Sequence, residues 1–194
     1  MEPWIECASG TKFEFLNPAP SQVNILDIAG ALSKNCRFVG QCRKFYSVAE
    51  HSFNVARMLH QFPVEIQLAG LLHDASEAYI TDVASPVKEH ITGYQAMEDN
   101  IMKAIARKFH FEYPLHPAVK QADRAMLSNE AWHLLPSQGK DWTMWGNRRA
   151  PVLKEYRPVC MDPDQAAAVF LEAYGNLMWQ LEEKGSNKDD SGNG

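Results

Sequence analysis

His73 and Asp74 are adjacent in the sequence, and their residue types suggest chemistry more directly than any other part of the chain. An imidazole nitrogen and a carboxylate oxygen side by side can bind one cation. A second histidine, His51, lies upstream of the pair, and a second aspartate, Asp123, lies downstream. Two nitrogen and two oxygen ligands suit a transition ion such as Zn, Co or Mn better than Mg alone. We therefore predict one divalent transition metal with an open position for water, whose acidity the ion would increase.

Hydrophobic periodicity predicts that these side chains face the interior of the protein. His51 shares a helical stripe with Val48 and Val55, and Asp123 shares another with Val119. A single inward histidine is more often a hydrogen-bonded core residue than a ligand. Burying a carboxylate without a partner is costly, however, so the two aspartates need a cation or strong donors. One metal ion would satisfy all four groups.

The ligands are predicted to lie on separate helices of an all-α domain. Ser47-x-x-Glu50 matches a capping box at the start of the helix that carries His51, and Asp162-Pro163 is a typical helix start. The predicted helices span residues 24–35, 47–60, 63–73, 93–110, 117–135 and 162–183.

The remaining segments predict little further regular structure. A short N-terminal β-ribbon is expected around residues 12–15, and a long ordered loop is expected at 136–161. Residues 1–184 are expected to form a single domain. Residues 185–194 are rich in Gly, Ser, Asn and Asp, which predicts a disordered tail.

Charge and composition argue against several classes of partner. The formal net charge is -5, so nothing in the overall balance favours nucleic acid. No apolar run approaches the roughly 18 residues of a membrane helix, and the first residues lack a signal-peptide pattern. The four cysteines show no C-x-x-C spacing and are expected to be reduced thiols. These features favour a cytoplasmic protein.

Four motifs extend the pattern beyond the metal ligands. They occur in the order Cys36-Arg37-Phe38, Ser47-Val48-Ala49-Glu50-His51-Ser52, His73-Asp74-Ala75-Ser76-Glu77 and Thr81-Asp82-Val83-Ala84-Ser85-Pro86-Val87-Lys88. With Asp123 they resemble the HD-domain metal-dependent phosphohydrolase superfamily, and they are similar to its YfbR-like 5'-deoxynucleotidases. The run from Asn24 to His51 resembles more closely the phage DatZ-like dATP triphosphohydrolases. The resemblance covers roughly residues 12–175 and implies an HD-domain helical bundle.

Glu77 and Asp82 are the candidate catalytic residues. Glu77 lies three positions beyond Asp74, so it can face the same cavity, and the resemblance implies a catalytic role for it. It could protonate the O5' leaving group or orient the attacking water. In the resembling nucleotidases the residue that matches Asp82 accepts a hydrogen bond from the sugar 3'-OH. The alternative is a solvated carboxylate for Glu77 and a turn-forming residue for Asp82.

Arg37, Lys88 and Phe38 are the further candidates for substrate binding. Arg37 lies in an otherwise apolar run, where an unpaired charge is unfavourable, and its guanidinium matches phosphate oxygens. Lys88 follows Asp82 by six positions and could reach the same anion. Phe38 stands where YfbR-like enzymes have a tryptophan that helps to exclude the ribose 2'-OH, and core packing is its alternative role.

The resemblance implies hydrolysis of 2'-deoxynucleotides at the P–O5' bond. The expected reaction is dATP and water to deoxyadenosine and triphosphate, with Mg possible on the triphosphate. Such a reaction would deplete dATP for a phage with modified adenine, in the host cytoplasm. The alternatives are a 5'-deoxynucleotidase acting on monophosphates and a non-catalytic metal- or nucleotide-binding module. The resemblance also implies a homo-oligomer, a hexamer in the DatZ-like type.

Overall fold

Eight α-helices and a two-stranded ribbon form the regular framework of the computed structural model, within residues 3–140 and 153–190, which the structure describes. The ribbon pairs β1 (Ile5–Glu6) antiparallel with β2 (Lys12–Phe13). The helices are α1 (Ile25–Leu32), α2 (Val48–Met58), α3 (Val64–Leu71), α4 (Glu77–Ile80), α5 (Ser85–Lys88), α6 (Tyr94–Phe109), α7 (Pro117–Leu134) and α8 (Pro163–Asp190).

The predicted helix starts are confirmed by side-chain caps. The Asn24 side chain accepts a hydrogen bond from the backbone N–H of Leu26 at the start of α1. The Ser47 hydroxyl accepts one from Glu50 at the start of α2. Asp162 accepts one from Gln165 at the start of α8. Each cap satisfies a backbone donor that has no partner within its helix.

The Glu50 side chain departs from the predicted capping box. Its carboxylate accepts hydrogen bonds from the backbone N–H groups of Val159, Cys160 and Met161, at 2.7, 3.1 and 2.8 Å. The backbone just before α8 is thereby fixed to the start of α2. Three backbone donors stabilise this buried carboxylate more than the single hydrogen bond of a capping box would.

Helix α2 lies at the centre of the packing and contacts α1, α3, α7 and α8. Its buried face includes Val48, Val55 and Leu59, the last just past the helix end. At Gly70 of α3, an added Cβ would lie 2.4 Å from Leu59 Cδ1, so glycine lets α3 approach α2 closely. This approach sets the position of the residues that follow α3.

The all-α class and the N-terminal ribbon are confirmed, with differences in detail. Helices α4 and α5 were not predicted, because four residues are too few to show a helical period. Helix α8 continues to Asp190, through part of the expected tail, since one glycine does not end a helix already propagating for many residues. The expected loop at 136–161 falls partly on 141–152, outside the described residues.

Within the described ranges, no helix is both long and apolar enough to cross a membrane.

Candidate metal centre

Three elements bring the predicted ligands together. His51 lies on α2 and Asp123 on α7, whereas His73 and Asp74 lie in the tight turn that joins α3 to α4. The predicted helix 63–73 ends earlier than expected, at Leu71. The turn lets two adjacent side chains reach the same point, which two successive residues of a helix do not do.

The ligand atoms converge within a few ångströms. His51 Nε2 lies 3.2 Å from His73 Nε2 and 3.7 Å from Asp74 Oδ2, and His73 Nε2 lies 3.2 Å from Asp74 Oδ2. Asp123 Oδ1 lies 3.2 Å from His51 Nε2 and 3.8 Å from His73 Nε2. Ligands at about 2.0–2.2 Å from an ion lie roughly 3–3.5 Å from one another. His51, His73 and Asp74 form a group that could hold a metal ion.

The hydrogen bonds of the two imidazoles favour the tautomer that a metal requires. His51 Nδ1 lies 2.7 Å from Glu130 Oε1, and His73 Nδ1 lies 2.8 Å from the carbonyl oxygen of Gly70. Both partners are acceptors, so each Nδ1 carries the proton and donates. The Nε2 lone pairs are then directed at each other across 3.2 Å. A cation between them removes this repulsion, and such outer contacts are typical of metal-bound histidines.

The ligand set is buried on its histidine side and open on its aspartate side. The side chain of His51 is fully buried, whereas those of Asp74 and Asp123 are 22% and 32% exposed. Burial would raise the pKa of Asp123, but the His51 and His73 rings beside it lower that pKa well below the ordinary value. The carboxylates are therefore ionised and accessible from solvent, as expected of a site with an open position.

Glu130 is the residue of the centre that sequence reasoning missed. It is fully buried on α7, and it accepts hydrogen bonds from His51 Nδ1, from Tyr46 Oη at 2.9 Å and from Arg37 Nε at 3.1 Å. Burial opposes its ionisation, but its partners His51, Arg37 and Tyr46 lower its pKa. The available signal was its position seven residues after Asp123, two turns along the same face of one helix.

Arg37 has protein partners on both sides. Its Nε bonds to Glu130, and its Nη1 lies 3.5 Å from Asp74 Oδ2. These two carboxylates are the partners that a charge in this apolar run was expected to need. Arg37 lies beside the metal group, and its contact with phosphate stays a prediction.

Glu77 lies beside the metal group at the start of α4. Its side chain is 4% exposed, its Oε1 lies 3.1 Å from Lys88 Nζ, and its Oε2 has no hydrogen-bond partner in the described part of the chain. Burial, followed by the charges of Asp74 and Asp82, raises the pKa of Glu77 well above its ordinary value. An unpaired buried carboxyl oxygen is rare and marks a functional group or a missing ligand.

Lys88 joins Glu77 to a second carboxylate. Its Nζ lies 2.7 Å from Glu98 Oε1 as well as 3.1 Å from Glu77, and 5.5 Å from the centroid of the Tyr94 ring. Sequence reasoning did not connect Lys88 with Glu77 or Glu98, because α5 and its turn bring them together from distant positions. The positive charge of Lys88 is thus already matched by two acidic groups.

Asp82 is half-buried and follows a residue with strained backbone. Burial is the main cause of the raised pKa of Asp82, and Arg37 opposes it. Thr81 adopts φ 65° and ψ 160°, a region that is nearly restricted to glycine. The Tyr94 hydroxyl donates to the Thr81 carbonyl oxygen at 2.9 Å and holds this conformation. The fold therefore maintains the position of Asp82 at a cost in backbone energy.

Phe38 lies in a second strained segment, directly after Arg37. Phe38 and Val39 have φ of 57° and 53°, both left-handed, and Val39 is β-branched and 61% exposed. The Arg37 guanidinium lies 5.7 Å from the centroid of the Phe38 ring. Phe38 thus lies against Arg37, and its contact with a sugar stays a prediction.

Two comparisons place the chain among known proteins. It is 31% identical over 174 residues to the uncharacterized protein YfdR of Escherichia coli K12, covering 90% of this chain and 95% of YfdR. It is 35% identical over 139 residues to an uncharacterized protein of Rhodobacter capsulatus, covering 66% of this chain and 71% of that protein. No family model matches the chain. The identity to YfdR extends over nearly the full length of both proteins, so the chain belongs to the family of YfdR.

Proposed function

We propose that this protein is a metal-dependent phosphohydrolase that cleaves the P–O5' bond of 2'-deoxynucleotides. The observation that carries the proposal is the convergence of two imidazole Nε2 atoms and two aspartate oxygens at 3.2–3.8 Å on a solvent-accessible side. A bound divalent ion would lower the pKa of a water molecule and withdraw charge from the phosphate oxygens. Zn, Co or Mn fits this donor set.

The residues around the ligands support hydrolysis over passive binding. Glu77 offers an unpaired carboxyl oxygen next to Asp74. Water would form the new bond to phosphorus while the P–O5' bond breaks with its electron pair on O5', and a proton from Glu77 on that oxygen would release a neutral nucleoside. A module that only binds a metal or nucleotide has no use for a buried proton donor with one unpaired oxygen.

The sugar and the α-phosphate have separate candidate contacts. Asp82, held by the strained backbone at Thr81, is proposed to accept a hydrogen bond from the 3'-OH. Arg37 is proposed to support the phosphate, and Phe38 to pack against the sugar. The side chain of Arg37 also contacts Asp74 and Glu130. Arg37 and the metal ligands would therefore bind the phosphate together.

We propose dATP as the substrate, with deoxyadenosine and triphosphate as products, on the basis of the resemblance to the DatZ-like enzymes. The role would be dATP depletion in the cytoplasm of a host whose phage uses a modified adenine. Because Lys88 is paired with Glu77 and Glu98, Mg bound to the triphosphate would carry much of the charge on the β- and γ-groups.

A deoxynucleoside monophosphate is the second candidate substrate, and the pairing of Lys88 favours it. A monophosphatase needs cations only around one phosphate, where the metal and Arg37 lie. Both reactions cleave the same bond, so Glu77 and Asp82 would serve either one.

The test combines metal analysis with product analysis of the purified protein. We expect a transition metal in about stoichiometric amount and release of deoxyadenosine with triphosphate from dATP, or of phosphate from dAMP if the second candidate is correct. Asp74→Asn should lose both metal and activity, whereas Asp164→Asn, a matched change at an exposed position of α8, should retain both. Formation of dAMP and pyrophosphate would contradict both candidates, and metal-free protein insensitive to chelators would contradict the proposal itself.

We further propose a homo-oligomer, a hexamer by resemblance. Trp179 of α8 is 59% exposed and Met178 beside it is half-buried, so α8 has apolar surface available for a second copy. Trp142 and Trp145 lie outside the described residues. Light scattering should give a mass well above the 21.9 kDa of one chain, and a monomer would contradict this part of the proposal.

A further inference from the structure

A second cavity lies on the outer side of α2, apart from the metal centre. It is a cleft of about 420 Å³ between α2, α3, α8 and the segment around Tyr156. Small-molecule sites measure about 300–1,000 Å³. None of the described residues that line the cleft is a metal ligand or a candidate substrate contact. Arg57 follows His51 by six positions on α2, so the two side chains point about 120° apart around the helix.

Arg57 is held in this cleft by contacts that leave most of its donors free. Its guanidinium carbon lies 5.5 Å from the centroid of the Phe53 ring and 5.1 Å from that of the Tyr156 ring. Its Nη1 donates to Asn54 Oδ1 at 3.1 Å. A guanidinium has five N–H donors in a rigid fork. The aromatic rings and Asn54 orient this fork, and the unused donors are available to a ligand.

The charge of Arg57 has no acidic partner in the part of the chain that the structure describes. No carboxylate there lies within ion-pair distance of it, and none of the described lining residues is acidic. Arg37 and Lys88, by contrast, are each paired with two carboxylates. His60, whose Nδ1 donates to the Arg57 carbonyl oxygen at 3.1 Å, adds a second polar ring without negative charge. The cleft therefore favours an anion, although the net charge of the protein is -5.

One side of the cleft is apolar, whereas Gln67 and Asn176 add two amide side chains to its lining. Ala56 and Leu177 are buried, and Ala173 is half-buried beside them. These side chains form a wall that an apolar group can cover, next to the unpaired guanidinium. An inorganic anion would leave the apolar wall uncovered, and a neutral apolar molecule would leave the charge of Arg57 unused.

We propose that this cleft binds a small organic anion, a compact apolar group that carries a phosphate or carboxylate. The anionic group would bind the Arg57 fork, and the apolar group would pack on Ala56, Ala173 and Leu177. This site is independent of the metal centre and of the reaction proposed there.

Calorimetric titration with phenylphosphonate and benzoate tests the proposal on the purified protein. At least one of the two should bind more tightly than inorganic phosphate or benzyl alcohol, and the tighter one identifies the anionic group. Arg57→Met should weaken that binding by roughly tenfold or more, because a charge-assisted hydrogen bond is lost. Arg107→Met, a matched change at an exposed arginine of α6, should leave it unchanged. The absence of binding by both anions, or equal affinity in Arg57→Met, would overturn the proposal.

Two further variants separate this cleft from the metal centre and from a folding defect. Ala173→Trp leaves Arg57 in place but fills the cleft, and it should abolish the binding. Asp74→Asn damages the metal centre and should bind the same anion with unchanged affinity. Binding that survives Ala173→Trp, or that disappears in Asp74→Asn, would show that the anion binds elsewhere and would also overturn the proposal. Each of these experiments measures the affinity for the anion. Their results therefore do not depend on whether the protein has the proposed hydrolase activity.

Discussion

Glu130 and Glu77 are two buried glutamates near the same ligand group, and their surroundings differ. Glu130 accepts hydrogen bonds from His51, Tyr46 and Arg37, and its pKa is lowered. Glu77 has one cationic partner, Lys88, lies near Asp74 and Asp82, and its pKa is raised well above the ordinary value. The difference indicates that Glu130 stabilises the centre, and it supports the reactive role proposed for Glu77.

Removal of Glu130 should have the largest effect on the fold. Glu130→Ala leaves Arg37 and His51 buried without their partner, and breaking a buried pair in this way costs about 3–5 kcal/mol. We expect chemical denaturation to show a loss of this size, together with loss of bound metal. Glu89→Ala, at an exposed position, is the matched control. A loss below about 1 kcal/mol would contradict the stabilising role given to Glu130.

Glu77→Gln should leave the fold intact and remove the reaction. The glutamine keeps the volume but carries no proton to donate, so we expect turnover to fall by about 10²–10⁴-fold. Metal content should be unchanged, and the melting temperature should be unchanged or higher because a carboxyl near Asp74 and Asp82 is removed. Glu65→Gln on α3 is the exposed control. Turnover equal to that of the wild type would refute the general-acid role.

Chelation should lower the melting temperature because a metal that binds only the folded state stabilises it. At an ion concentration of about 100 times Kd the contribution is roughly 2.7 kcal/mol, or some 5–10 °C for a domain of this size. Readdition of Zn, Co or Mn should restore the melting temperature, measured by calorimetry. Asp74→Asn should show no response, and an equal response in that variant would locate the effect outside the centre.

Lys88→Met should show whether Lys88 acts through Glu77 or on the outer phosphates of the substrate. The partners of Lys88 in the structure are Glu77 and Glu98. Because its loss would remove one modest interaction with the proposed general acid, we expect turnover to fall about tenfold on dATP and dAMP alike. Lys103→Met, which breaks a surface pair with Asp99, should have no such effect. A loss confined to dATP would instead place Lys88 at the β- and γ-phosphates.

The smallest expected effect is at Thr81. Thr81→Gly should raise the free energy of unfolding by about 1 kcal/mol, since glycine adopts this conformation without the strain that threonine has. A modest decrease in turnover is expected with it, because Asp82 is then held less firmly. Thr92→Gly, in an exposed turn without left-handed φ, should not stabilise the protein. Equal stability changes in the two variants would mean that strain is not stored at Thr81.

The metal ligands could be predicted from the sequence because each prediction needed only local information. Helical periodicity placed His51 and Asp123 on inward faces, and the adjacent His73 and Asp74 needed no fold at all. The long helices were predicted for the same reason, since their period extends over many residues.

The remaining contacts depend on tertiary structure. The pairing of Lys88 with Glu77 requires the two short helices α4 and α5, which have no periodic signal. Glu130 was detectable only as a charged residue on the stripe that carries Asp123, and its three partners come from distant segments. The Arg57 cleft involves α8 and the segment around Tyr156, whose position no local pattern predicts.

The three hydrogen bonds of Glu130 also constrain the order in which the protein can be completed. They join it to Arg37, Tyr46 and His51, at sequence separations of 93, 84 and 79 residues. During synthesis, Arg37, Tyr46 and His51 lack Glu130 as a partner until α7 has emerged from the ribosome. Contacts of such long range form late in folding because chain closure must precede them. Neither half of the chain can therefore assemble the metal centre alone, and a fragment that ends before α7 should not acquire the ion at all.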